Sequence, residues 1–200
     1  MAFVAAMVLT NVWNFMDGID GLAASQAALV AGAYALLSGG AVLYAGLALA
    51  AASIGFLPHN FPKARIFLGD VGSGALGYAL AALSATTALS LGGGAGAWLL
   101  VLLPPAVFLI DASLTLGARM LRGERWWEPH VQHAYQCWAR RVGHRVVTWA
   151  YALATFTAIM LMFAIRSSEA PFRMVMIAGV GLAGGLVWRG LRSRCRAFEP

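Results

Sequence analysis

Long apolar runs separated by short polar breaks set the pattern of this chain. Leu22 to Ser38 and Ala41 to Leu57 are apolar and only the Gly39-Gly40 pair parts them, which predicts a transmembrane hairpin. Polar residues return in PHNFPKARIFLGDVGSG, from Pro58 to Gly74, where prolines and glycines argue against a continuous helix. A third run, Ala75 to Leu91, stops at the glycine-rich turn Gly92 to Gly96. A fourth, Trp98 to Leu116, contains Pro104-Pro105, and a kink is expected there because proline removes a helical hydrogen bond. Two last runs, Val146 to Ile165 and Phe172 to Leu191, flank the turn RSSEAP and lead into the basic tail RSRCRAFEP. The expected fold is therefore all-α: a polytopic transmembrane helical bundle of about six full spans. A partial span precedes them, because Met1 to Leu9 is too short to cross a bilayer core that takes about 20 residues.

Composition turns this pattern into a membrane assignment. Hydrophobic residues make up 60% of the chain and charged residues 11%, with a mean hydropathy of +0.74, far from the balance of a soluble domain. A net charge of +6 would suit a nucleic-acid partner if the basic groups formed one patch, but they lie between apolar runs, as topology signals do. If each run crosses once, Lys63, Arg65, the arginines of Gly117 to Arg145 and those of the tail share one side. Only Arg166 and Arg173 fall on the other. That asymmetry predicts a cytoplasmic face built from the first polar stretch, the Pro58 to Gly74 loop, the long loop and the C-terminus. Residues 1–200 read as a single integral membrane domain, with 117–145 as a histidine- and arginine-rich loop inside it. Cys137 and Cys195 lie in arginine-rich stretches on that face, so no disulfide is expected.

Candidate chemistry concentrates where polar residues meet that face. In NVWNFMDGIDGL, Asn11, Asn14, Asp17 and Asp20 recur every third residue, so they share a face while the backbone stays helical, at spacings of about 5–6 Å. Two carboxylates so close call for a cation, a basic partner or a shared proton. The alternative is a polar helix end with a glycine stop. FLGDVGSG adds Asp70, read equally well as an N-cap of the next helix. Three acids near one depth suit Mg²⁺, which takes hard oxygen ligands and keeps positions for water and phosphate. RGERWWEPHVQHAYQCWARR contributes His130 and His133, a pair fit for phosphate binding or proton exchange, or else part of a basic loop on anionic headgroups. Asp111 lies in an apolar run and must pair, coordinate or be neutral. Phe67 suits stacking on a planar ring or a lipid contact, and His59 and His144 read as ordinary loop residues.

Taken together, these motifs resemble the polyprenyl-phosphate N-acetylhexosamine-1-phosphate transferases of bacterial membranes. NVWNFMDGIDGL is similar to NxxNxxDGxDGL, NFPKARIFLGDVGSG to NxxPAxxFxGDxGS, and the run from Asp111 through Arg122 to a DTLxTLxRRxxRG helix end. PHVQHAYQ resembles the histidine loop of the branch that initiates O-antigen and related glycans. Order and spacing agree over about residues 11–140. The resemblance implies transfer of a sugar 1-phosphate from a UDP-N-acetylhexosamine to undecaprenyl phosphate, with release of UMP, at the cytoplasmic face of the bacterial inner membrane. It implies Asp17 and Asp70 as catalytic, metal-side acids for Mg²⁺, with Mn²⁺ as a substitute, and His130 and His133 in the catalytic loop. Substrate contacts would come from Asn14, Asp20, Phe67, Lys63, Arg125 and Asp111. A lipid bilayer and a second copy are the implied partners.

The sequence also departs from that pattern. Relatives carry an adjacent Asp-Asp pair in an earlier cytoplasmic loop, and none occurs here, so upstream spans are expected beyond this chain. Val131 and Cys137 stand where basic residues are common in the histidine loop. The competing readings are an inactive fragment or partner subunit with the same fold, and a transporter. A transporter needs ionisable groups through the bilayer, whereas only Asp111 is deep here.

Overall fold

The computed structural model describes residues 1–124 and 133–196. Among them the chain forms nine α-helices: α1 (Ala2–Met16), α2 (Leu22–Leu37), α3 (Gly40–Asn60), α4 (Gly69–Ser90), α5 (Ala95–Val101), α6 (Ala106–Met120), α7 (Ala134–Val142), α8 (His144–Ile165) and α9 (Ala170–Arg196). The all-helical architecture agrees with the hydropathy pattern, and the chain is a multi-pass membrane protein. Three helices, α3, α8 and α9, are each long and apolar enough to cross a membrane. The fourth expected run is split into α5 and α6, which pass that test only as a pair bent by 91°. At 16 residues, α2 reaches about 24 Å, short of a hydrocarbon core of about 30 Å. The remaining run lies within α4, whose glycine, serine and threonine content dilutes its hydropathy.

Small residues let these helices approach closely, as they do where lipid rather than water surrounds a bundle. A Cβ at Gly46 of α3 would lie 2.8 Å from the Ala31 carbonyl of α2, and one at Gly77 of α4 would meet the backbone of Leu9 and Thr10 in α1. The buried helix α2 touches α3, α4 and α8, while α1 lies along α4. An aromatic column fills the space between α1, α6, α8 and α7. Trp13 meets Phe108 at 4.9 Å, Phe108 meets Tyr151 at 6.3 Å, and Tyr151 meets Tyr135 at 6.4 Å.

The break between α5 and α6 has a defined cause. Pro105 has no N–H to offer the carbonyl of Val101, four residues earlier. Tyr34 of α2 donates its hydroxyl to that oxygen at 2.6 Å instead, so the Val101 carbonyl is not orphaned.

Polar turns gather at two ends. At one end, Gly21 donates its amide to Asn60 Oδ1 at 2.9 Å and Tyr135 donates its hydroxyl to the Phe15 carbonyl at 3.0 Å. The first polar stretch, the loop before α4 and the start of α7 are thereby neighbours. At the other end, Ser38 Oγ donates to Thr87 Oγ1 at 3.0 Å, and Arg173 lies against Gly96. Two expectations need correction. The segment 117–145 is not simply a loop, because it contains the amphipathic helix α7 and the start of α8. Cys137 is disulfide-bonded rather than reduced; α7 packs against α9, which brings together two stretches that look scattered in sequence.

Candidate functional site

The site begins where α1 ends. Met16 is its last helical residue, and Asp17 follows at φ −90° and ψ 50°, with its amide donating to the Asn14 carbonyl. Because the helix stops there, the every-third-residue face does not persist. Asn11 turns its amide back to the Met7 carbonyl at 2.8 Å, away from the cluster. Asp20 leaves the face as well and joins α8.

Asp17 and Asp70 come together from separate elements. Burial raises the Asp17 carboxyl to about 7, and the charge of Asp70 adds to the rise. Asp70 occupies the first turn of α4, but Leu68 is the N-cap, so the capping alternative for Asp70 does not hold. Ser73, one turn further on, donates to Asn14 Oδ1 at 2.9 Å and to the Gly69 carbonyl at 3.0 Å. Asn14 thus braces α1 against α4, directly beside both acids.

A second group forms around Asp20. His144 Nδ1 lies 3.3 Å from Asp20 Oδ2, and Thr148 Oγ1 donates to the Asp20 carbonyl at 2.8 Å. Asp20, Lys63, His144, Arg145 and Trp149 line an open cleft of about 660 Å³. His144 is therefore a site residue that its sequence context does not reveal, since its partner lies on a distant turn. Asn60 is another. It receives the Gly21 amide and donates to the Ile66 carbonyl at 2.9 Å, tying the acidic stretch to the loop that carries Phe67. Gly21 has φ +72°, and a Cβ there would meet the Phe61 ring at 2.7 Å, so the turn requires glycine. Phe67 itself is 76% exposed.

The histidine loop is only partly in view, because His130 and Arg125 lie outside the described residues. His133 caps α7 and is buried at 2% exposure, with its ring stacked 6.0 Å from that of Phe15 and its Nδ1 3.8 Å from Asp111 Oδ1. Asp111, placed among the substrate contacts by resemblance, is 3% exposed. Its carboxylate is taken up by the amides of Ala134 and Tyr135 and the hydroxyls of Thr115 and Tyr151.

Two carboxylates sharing an unfavourable charge, beside a basic cleft and an exposed aromatic ring, make a site suited to a divalent cation and a nucleotide diphosphate. Residues 1–88, which hold Asn14, Asp17, Asp20, Lys63, Phe67 and Asp70, match the model of glycosyl transferase family 4. This stretch is a family 4 segment. Similarity to curated relatives runs beyond it. The chain is 34% identical over 212 residues to a decaprenyl-phosphate N-acetylglucosaminephosphotransferase of Mycobacterium tuberculosis, covering 91% of this chain and 52% of that protein. It is 38% identical over 128 residues to a phospho-N-acetylmuramoyl-pentapeptide-transferase of Moorella thermoacetica, covering 61% and 40%. It is 46% identical over 80 residues to a probable undecaprenyl-phosphate N-acetylglucosaminyl 1-phosphate transferase of Bacillus subtilis, covering 38% and 22%. The chain spans about half the length of the mycobacterial relatives it matches over most of its own length.

The donor set of the family 4 segment fits a magnesium ion. Asp17 and Asp70 would supply two hard oxygen ligands, and a cation between them would remove their mutual repulsion. No group of three or more His, Cys, Asp or Glu side chains suited to a metal occurs among the described residues, so water and phosphate oxygens would complete the shell.

Proposed function

We propose that this chain carries the transfer site of an enzyme that moves N-acetylhexosamine 1-phosphate from a UDP-sugar to undecaprenyl phosphate. The observation that carries the proposal is the meeting of Asp17 and Asp70, from separate elements, at one end of an apolar bundle. The chemistry asks for that placement. An oxygen of the lipid phosphate attacks the β-phosphorus of the sugar nucleotide, the bond from that phosphorus to the bridging oxygen breaks, and UMP leaves with the electron pair. The lipid phosphate is already an anion near neutral pH, so the site's work is to gather and screen negative charge.

Each residue then has a task. Asp17 and Asp70 would hold Mg²⁺ or Mn²⁺, which supplies charge neutralisation to the diphosphate when bound. Asn14 fixes the spacing of the two acids through Ser73. Asp20 faces the nucleoside, Lys63 and Arg145 draw its phosphates into the cleft, and Phe67 offers its ring to the base. Arg125 and His130 belong to the same reading as phosphate contacts. His133 acts through Phe15 and Asp111. The active end faces the cytoplasm of a bacterial inner membrane, as the basic residues indicate, and the product enters O-antigen or another cell-surface glycan. Similarity to the mycobacterial protein over 91% of this chain supports N-acetylglucosamine as the sugar.

A second reading is that these residues carry the transferase fold but act with a complementary polypeptide. One experiment separates the two. Membranes containing the chain are incubated with undecaprenyl phosphate, Mg²⁺ and radiolabelled UDP-GlcNAc, with Asp70→Asn as control. Label in extractable lipid that needs Mg²⁺ and vanishes in the control supports the transferase. Label that appears only when the remaining half of a relative is co-expressed supports the partner reading. The absence of label in both arms, and with UDP-GalNAc, overturns the reaction.

A further inference from the structure

Asp111 is buried at 3% exposure, with His133 Nδ1 3.8 Å from Oδ1 and four donors on its carboxylate. Oδ1 accepts from the Ala134 amide at 3.0 Å and from Thr115 Oγ1 at 3.1 Å; Oδ2 accepts from the Tyr135 amide at 3.0 Å and from the Tyr151 hydroxyl at 2.7 Å. The two amides belong to the first turn of α7, where backbone N–H groups have no partner inside the helix. An acid from α6 therefore caps α7 from outside, and the positive end of the α7 dipole favours its charge. Donors from α6, α7 and α8 thus meet at one carboxylate, and Thr115 also accepts from Trp188 Nε1 of α9 at 3.1 Å.

What α7 does with that anchorage is read from Tyr135. Its ring is fully buried, and burial, followed by the charges of Asp111 and Asp17, holds its phenol well above the usual range, so it remains a donor. The hydroxyl donates to the Phe15 carbonyl, one of the last-turn oxygens of α1 that no helical amide reaches. The oxygen also faces the Gly18 amide, and it fills the space a Cβ at Gly18 would need. Phe15 and Gly18 bracket Asp17. We propose that Asp111 and Tyr135 are positioning residues that form a latch: Asp111 fixes the start of α7, and Tyr135 carries that fixity to the turn bearing Asp17. The importance of the latch for transfer rests on the reaction proposed above; its existence does not.

Amide hydrogen exchange on the chain in lipid nanodiscs tests the latch without any need for activity. Tyr135→Phe removes one hydroxyl from a site that keeps its ring. Exchange over residues 15–21 should quicken by about three- to tenfold, the equivalent of one net hydrogen bond, while amides 134–137 hold their rates. Asp111→Asn should speed exchange at 134–137 and at 15–21 together. Thr155→Val, which removes a buried hydroxyl elsewhere, should change neither. Unchanged exchange over 15–21 in Tyr135→Phe overturns the latch, and that variant decides the matter if Asp111→Asn fails to fold. In transfer assays, Tyr135→Phe should lower kcat about three- to tenfold with KM for UDP-GlcNAc within about twofold. A rise in KM with kcat unchanged would make Tyr135 a substrate contact and sink the positioning role. A wild type that transfers no label counts against the reaction, and leaves the exchange result to stand for the latch.

Discussion

Asp17 is the residue whose chemistry depends most on its surroundings. Its carboxyl titrates near 7 because burial and the Asp70 charge both oppose ionisation. In the unfolded chain it would ionise near 3.8, so the folded state binds the proton more tightly. The resulting stabilisation is fully present below about pH 4 and is lost as pH rises through about 7. Without divalent cations, the melting temperature in detergent should therefore fall between pH 5 and 8, Mg²⁺ should restore it at the upper end, and Asp17→Asn should flatten the profile. A flat profile for the wild type would contradict the raised Asp17 carboxyl, whose main cause is burial. His144 makes the other residue-scale prediction. It meets Asp20 at 3.3 Å beside the cleft proposed for the nucleotide, so His144→Ala should raise KM for the UDP-sugar about three- to tenfold and leave kcat within about twofold, as measured in the lipid-label assay. Neither residue could be fully read from sequence. The DGID stretch announces two acids, but only the end of α1 at Met16 sends Asp20 away from Asp17. His144 has no motif around it, and its partner is brought to it by folding.

At the scale of elements, legibility follows the length of the apolar run. The long runs are visible because lipid demands about 20 apolar residues in a row, and the Pro104-Pro105 break is visible because proline cannot hide. The nine-residue helix α7 is not visible, since it turns only Ala134, Tyr135, Cys137 and Ala139 inward and carries arginines on its exposed side. Asp111 stands out as an acid in an apolar run, yet its purpose is unreadable because two of its partners are backbone amides, which no sequence pattern marks. The bend between α5 and α6 gives a prediction at this scale. Tyr34→Phe leaves the Val101 carbonyl without a donor in an apolar interior, which should cost about 1–3 kcal/mol. Denaturation in mixed micelles should reveal the loss, and Tyr44→Phe, an exposed tyrosine on α3, serves as the neutral control.

For the whole molecule, among the described residues, one end gathers the acids, the basic cleft and the start of α7, and the other gathers short turns with Arg173 against Gly96. On the proposed topology, that polarity, already written in the distribution of lysines and arginines, sets how the bundle sits in a membrane. A cysteine introduced at Ala64 should react with a membrane-impermeant maleimide only after cells are opened. One introduced at Ser168, in the turn after α8, should react in intact spheroplasts. The reverse pattern would invert the proposed topology. Between the two ends, α2 supplies a buried centre that α3, α4 and α8 surround.

The hydroxyl of Tyr135 sits where any side chain at Gly18 would have to go. The two positions are therefore expected to be genetically inseparable. In a library of variants, Gly18→Ala should score as a severe defect on the natural background and recover part of its fitness when position 135 becomes smaller. A change at 135 alone should still carry the penalty of a lost hydroxyl. Sign epistasis between the two positions would be the signature of a space only one side chain can occupy.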